Sequence, residues 1–154
     1  ALKDFCDNTL DEYGILYLHQ KGARDMKNTV NALWRRNMLD ANVTQWRTMV
    51  EKIKQGFDTA GIYWDVDRGN DLWYYGGNFW WARSDYIKKL VKLKHPTDNN
   101  YKPQIWQDTP EPGTNLFSQD KNLHRYDAEV WIGTGNPNYY HMMYSFIDMQ
   151  KTID

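Results

Sequence analysis

The sequence predicts an α/β domain. Short apolar runs of strand length, at 15–18 and 61–66, alternate with segments at 29–39, 42–56 and 84–93 whose apolar residues recur at helical spacing. Helical segments of that length fit an α/β architecture better than the all-β sandwiches common among sugar-binding modules. With 154 residues, 41% of them hydrophobic, and a formal net charge of −1, the chain is expected to form one globular domain over 1–154 with its own core.

Residues 2–13 read as a short helix, with Leu2, Phe5, Cys6, Leu10 and Tyr13 at helical spacing and Gly14 ending it. Ile15, Leu16, Tyr17 and Leu18 form the continuous apolar run expected of a central strand covered on both faces. A polar loop follows at 23–28. Thr29 is placed to cap a helix carrying Val30, Leu33, Trp34, Met38 and Leu39. Asn42-Val43-Thr44-Gln45 has the form of a capping box for a second helix, or for the first after a bend. Asn42-Val43-Thr44 also matches a glycosylation acceptor triplet, but a helical setting suits a cap better. A strand is predicted at 61–66, and Leu72-Trp73-Tyr74-Tyr75 leads into a glycine pair. Ser84 then caps a helix with Tyr86, Ile87, Leu90, Val91 and Leu93 on one face. Prolines at 96, 103, 110 and 112 dissolve the pattern into a long loop, and helical spacing resumes at 125–133.

The unusual quantity is aromatic content: 16%, with eight Trp and eleven Tyr, at a mean hydropathy of −0.85. Aromatic surface beyond the needs of a core suits ring-shaped ligands, carbohydrate above all. It is densest around Gly76-Gly77-Asn78-Phe79-Trp80-Trp81. Neighbouring side chains on an extended segment point to opposite faces, so Trp80 and Trp81 do not enter one core. Either one is presented to a sugar, or the two fill separate hydrophobic layers. Gly77 permits a sharp turn or close approach, and the Asn78 amide both donates and accepts.

Three further groups carry chemistry. His19 and Lys21 follow the 15–18 run on one side of an extended chain, where strand ends in open sheets gather ligands. Together with Gly22 they suit a diphosphate, with Lys21 as point charge and His19 as donor or metal ligand; the alternative is an ordinary strand end. Asp65 and Asp67 can hold Mn²⁺ or Mg²⁺ through oxygen, or belong to ordinary turn chemistry. Asp127 and Glu129 offer a base for a sugar hydroxyl, at most one of them facing a given atom, or serve a first-turn dipole role.

Near-balanced charge argues against nucleic acid as the main partner. No apolar run approaches membrane length, and the first residues lack a signal-peptide pattern, so no membrane insertion and a cytoplasmic setting are expected. The single Cys6 excludes an internal disulfide framework and fits a reducing compartment.

Leu18-His19-Gln20-Lys21-Gly22, Gly77-Asn78-Phe79-Trp80-Trp81-Ala82 and Arg125-Tyr126-Asp127-Ala128-Glu129-Val130-Trp131 occur in this order and at similar spacing in another group of proteins. In these blocks the chain resembles the small GT-A-like glycosyltransferases, most nearly the capsid-glycan transferases of chlorella viruses. The resemblance spans most of 14–135, and the GNFWWA block is its most specific part. It implies a GT-A-like mixed central sheet flanked by helices, with part of the N-terminal nucleotide-binding half lacking. It also implies a UDP-sugar donor, a divalent metal such as Mn²⁺, a glycan acceptor and, for a viral member, the host cytoplasm. His19 and Lys21 stand where the wider fold carries its Asp-x-Asp metal motif, which leaves the ligand set open, with His19 a candidate. Gly77, Asn78, Trp80 and Trp81 take the acceptor side, and Glu129 is preferred to Asp127 as base. The competing class is a non-catalytic carbohydrate-binding module. A glycosidase using Asp127 and Glu129 is disfavoured because no second carboxylate segment faces them across a cleft.

Overall fold

The computed structural model describes residues 1–19, 29–67, 72–93 and 128–143. Within them the chain is a mixed α/β structure. A four-stranded sheet has the order β1 (Gly14–Tyr17), β5 (Trp80–Arg83), β2 (Thr59–Gly61), β6 (Tyr139–His141). β5 runs antiparallel to both neighbours, whereas β2 and β6 are parallel. A separate antiparallel hairpin pairs β3 (Trp64–Asp67) with β4 (Leu72–Tyr75). Helices α1 (Leu2–Asn8), α2 (Thr29–Leu39), α3 (Trp46–Lys54) and α4 (Ser84–Lys89) cover the sheet. None of these helices is long and apolar enough to cross a membrane.

Strand alternation builds two hydrophobic layers. Trp80 and Ala82 join Cys6, Tyr86, Ile87, Leu90, Trp131 and Ile132 on one side of β5. Phe79 and the half-buried Trp81 join Met38, Ala41, Met49, Ile53 and Ile62 on the other. Trp80 is only 1% exposed, so of the two expectations for this pair the structure realises the two-layer one, and Trp80 is not presented to solvent. Its ring stacks on Tyr17 at 4.8 Å, and its indole N–H donates to the Asn78 side-chain oxygen at 2.7 Å. The Trp81 indole N–H donates to the Asn42 carbonyl at 2.9 Å.

That carbonyl is offered by a π-helical turn, Asp40–Thr44, between α2 and α3. Asn42 is therefore no helix cap: it is buried within the turn, and its amide donates to the Met38 carbonyl at 2.9 Å. The helix expected over 2–13 stops at Asn8, because Thr9 adopts an extended conformation. Cationic side chains tie both of its ends to α4, with Lys3 in its first turn donating to the Lys88 carbonyl at 2.9 Å and Lys88 donating to the Thr9 carbonyl at 2.8 Å. Among the described residues β1 is an outer strand, not the central one its apolar run implies. The helix from Ser84 is shorter than its apolar pattern, since Leu90 turns extended, and Ser84 instead accepts the Tyr13 N–H at 2.9 Å. The strand expected at 61–66 is broken: its first part belongs to the sheet and its second to the hairpin, the chain turning at Tyr63 with φ 57°.

The hairpin is fastened to the sheet by Tyr75. Its ring lies so close to Gly61 that a Cβ there would sit 2.8 Å from a ring carbon. Its hydroxyl donates to the Tyr140 carbonyl at 3.0 Å and lies 3.1 Å from the Thr59 hydroxyl, which is left to donate to it. The turn into β5 bonds the Asn78 N–H to the Tyr75 carbonyl at 2.8 Å, with Gly77 at φ 85° in the position where a type II turn requires a positive φ.

Gly77→Ala is expected to destabilise the fold by about 3 kcal/mol, combining left-handed strain with overpacking. The added Cβ would lie 2.2 Å from the Met38 sulfur. Urea denaturation reads this directly. By the same measurement Trp80→Ala should cost about 4 kcal/mol and exceed Trp81→Ala, because only the first empties a fully buried site.

Candidate functional site

The pairing directions place the carboxyl ends of β1, β2 and β6 and the amino end of β5 along one edge of the sheet. In open α/β sheets this is the edge where ligands bind. His19 leaves β1 there, Tyr63 follows β2, His141 ends β6, and Gly77 and Asn78 precede β5. A cleft of about 490 Å³ opens among them, walled by Trp34 of α2, Tyr63, Trp64, Asp65, Tyr74, Gly76, Gly77, Glu129 and His141.

Tyr63 is held from several sides. Its N–H donates to His141 Nε2 at 3.2 Å, its carbonyl accepts the Gly76 N–H at 2.8 Å, and its hydroxyl accepts from the buried Asn37 amide at 3.0 Å. Trp34 meets its ring edge-on at 6.2 Å. A non-glycine residue at positive φ persists only when its surroundings over-determine it, and such residues cluster at functional sites. Asn78, at φ 58°, is a second one on the same edge.

His19 Nε2 lies 2.9 Å from the Gly77 carbonyl. A carbonyl only accepts, so Nε2 carries a proton and donates it to Gly77. His141 has the opposite arrangement at Nε2, which accepts the Tyr63 amide and must be unprotonated to do so. Burial pushes the His141 pKa down, with the Asp65 carboxylate opposing. Burial and the accepted Tyr63 hydrogen bond both favour the neutral imidazole, against the pull of Asp65. Burial, and then the negative charge of Glu129, push the Tyr17 hydroxyl up, which keeps the phenol protonated beside that carboxylate.

The sequence-predicted residues are thus partly assembled. Gly77 and Glu129 wall the cleft, and His19 and Asn78 stand on the same edge. Asn78 is buried, its oxygen accepting from Trp80 and its amide donating to the Ala128 carbonyl at 3.4 Å, so it shapes the edge more than it faces a ligand. Trp80 and Trp81 belong to the core layers. Lys21, Gly22 and Asp127 lie outside the described residues. Tyr63, His141 and Trp34 are the additions: Tyr63 hid inside an apparently continuous strand, Trp34 among helix core positions, and His141 in an aromatic tail whose strand is visible only through its parallel partner.

For a divalent metal the described residues are a poor fit. Among them no three His, Cys, Asp or Glu side chains come together. His19 Nε2 faces a carbonyl, and Asp65 is exposed with one oxygen accepting the Val66 N–H at 2.8 Å. The described wall of the cleft instead combines aromatic rings, two carboxylates and a neutral imidazole, and carries no Lys or Arg. Such a wall suits an uncharged polyhydroxylated ring, stacked on an aromatic face and bonded at its rim.

Because the folded-state pKa of His141 is depressed, its contribution to stability is present above the ordinary value of 6.5 and is lost as pH falls from there through its own lower value. Thermal unfolding scans should show this decline in the wild type. His141→Gln, which retains a side-chain acceptor for the Tyr63 amide without titrating, should remove that part of the pH dependence.

No curated protein and no solved structure matches the chain. The family described as Domain of unknown function (DUF8361) matches residues 1–137. The chain therefore belongs to the DUF8361 family.

Proposed function

We propose that this domain is a glycosyltransferase of GT-A-like architecture that moves a sugar from a UDP-sugar donor to a glycan acceptor. The observation that carries the reading is convergence. His19, the Gly77-Asn78 pair and Glu129 are far apart in the chain, yet they meet on the ligand edge of one mixed sheet, around or beside an aromatic-walled cleft. In this reading Glu129 accepts the proton of the attacking acceptor hydroxyl. The oxygen bonds to the anomeric carbon, and the electron pair of the breaking bond leaves on the diphosphate. Aromatic walls hold the acceptor in line beforehand, removing orientational freedom before the step. Lys21, three residues beyond Leu18, supplies positive charge for the leaving group in this scheme.

A second reading, a non-catalytic carbohydrate-binding module, is favoured by one specific observation. The described cleft wall offers carboxylates and aromatic rings to a sugar but no cation to a phosphate.

Calorimetric titration with UDP, with and without Mn²⁺, separates the two. A transferase binds UDP, and Glu129→Gln should lower kcat by at least about a hundredfold while leaving UDP affinity unchanged. Glycan binding that is indifferent to UDP, with no sugar transfer from any UDP-sugar, would establish the binding module instead.

A further inference from the structure

Trp64, Trp73 and Tyr139 lie nearly parallel. Trp64 is 6.0 Å from Trp73 at 14° and 4.7 Å from Tyr139 at 23°. Trp73 and Tyr139 are themselves 6.4 Å apart at 22°. In a column of three the outer rings would be separated by the sum of the two inner spacings, so these rings form a triangle. Trp64 is 8% exposed, whereas Trp73 and Tyr139 are 43% and 42% exposed. Trp64 is therefore the buried member of the triangle, and Trp73 and Tyr139 are its two partly open, nearly parallel members.

The floor adjoins the cleft. Trp64 borders the cleft while contacting both rings, and β6 contributes His141 to the cleft and Tyr139, two residues earlier on the same face of the strand, to the floor. Among the described residues the buried Trp64 indole N–H finds no acceptor, which marks the region as incompletely satisfied. Two partly open rings fall well short of the roughly 800 Å² per partner of a stable protein interface, yet they match the face of a sugar ring. The C–H groups of such a face carry partial positive charge and sit well against the negative face of an aromatic ring. The exposed pair Phe5 and Tyr13 makes the contrast, its rings inclined at 51° and offering no flat floor.

We propose that Trp73 and Tyr139 form a second sugar-stacking platform next to the cleft, so that the saccharide bound by this domain is an oligosaccharide spanning both. The inference rests on the reading of the cleft as a sugar site.

The test is an array of neutral and acidic saccharides from monosaccharide to hexasaccharide, followed by tryptophan-fluorescence titration of the tightest hexasaccharide and its terminal monosaccharide. The hexasaccharide should bind about tenfold more tightly. Trp73→Ala and Tyr139→Ala should each remove most of that gain without changing monosaccharide affinity, and Trp73→Phe should retain part of it. Trp34→Ala, in the cleft, should weaken both ligands alike. Affinity independent of length, or a length gain that survives both alanine variants, overturns the platform and leaves the cleft reading standing. Failure of every saccharide to bind overturns both. If Trp73→Ala turns a dimer into a monomer in sedimentation while leaving hexasaccharide affinity unchanged, the surface serves self-association and the platform is overturned.

Discussion

The alternation of side chains along β5 is the constraint on which the rest of the structure depends. β5 is paired on both sides, so its backbone polar groups are satisfied within the sheet and its side chains are free to serve two layers. Trp80 goes to one layer and Trp81 to the other, and a slip of one residue would exchange them. Each indole N–H is then fixed by a different partner: Asn78 in the turn before the strand, and the carbonyl that the π-helical turn presents. The strand thereby sets the position of the Gly76-Gly77-Asn78 turn on one side and of the α2–α3 unit on the other.

Conformational strain collects at the edge this strand defines. Tyr63 and Asn78 both occupy the left-handed region, at a cost of about 1–2 kcal/mol each. Their surroundings compensate through hydrogen bonds to His141, Asn37, Gly76 and Trp80. The break at Tyr63 lets one stretch of chain contribute a buried strand to the main sheet and then the first strand of a hairpin whose residues wall the cleft. Without that break Asp65 and Trp64 would continue along the sheet. Gly61 makes the arrangement possible by leaving room for the Tyr75 ring, which anchors the hairpin.

Much of the architecture was legible from local pattern, because period and punctuation are local properties. The helical periodicity around Trp34 and around Met49, the strand before Ser84 and the glycine turn before Trp80 all stand where the sequence places them. The features that escaped are those decided by partners distant in the chain. β6 leaves no mark in the sequence pattern because three residues of parallel pairing with β2 are too few to show a period. The outer position of β1 is likewise invisible in its apolar run, since Ile15 and Tyr17 pack against a core layer as a central strand's residues would. Among site residues, His19, Gly77 and Glu129 were suggested by chemistry and spacing, whereas Tyr63 and His141 acquire meaning only through the hydrogen bond between them.

The sequence by itself determined the α/β class, the positions of the main helices and the rule that Trp80 and Trp81 part company, because helix period, strand alternation and glycine freedom act between near neighbours. Tertiary structure alone decided which tryptophan is buried, where the strand through 61–66 breaks, and which aromatic rings remain open to a ligand. Those outcomes depend on how two layers fill and on which residues far apart in the chain compete for the same space, and no local pattern encodes that competition.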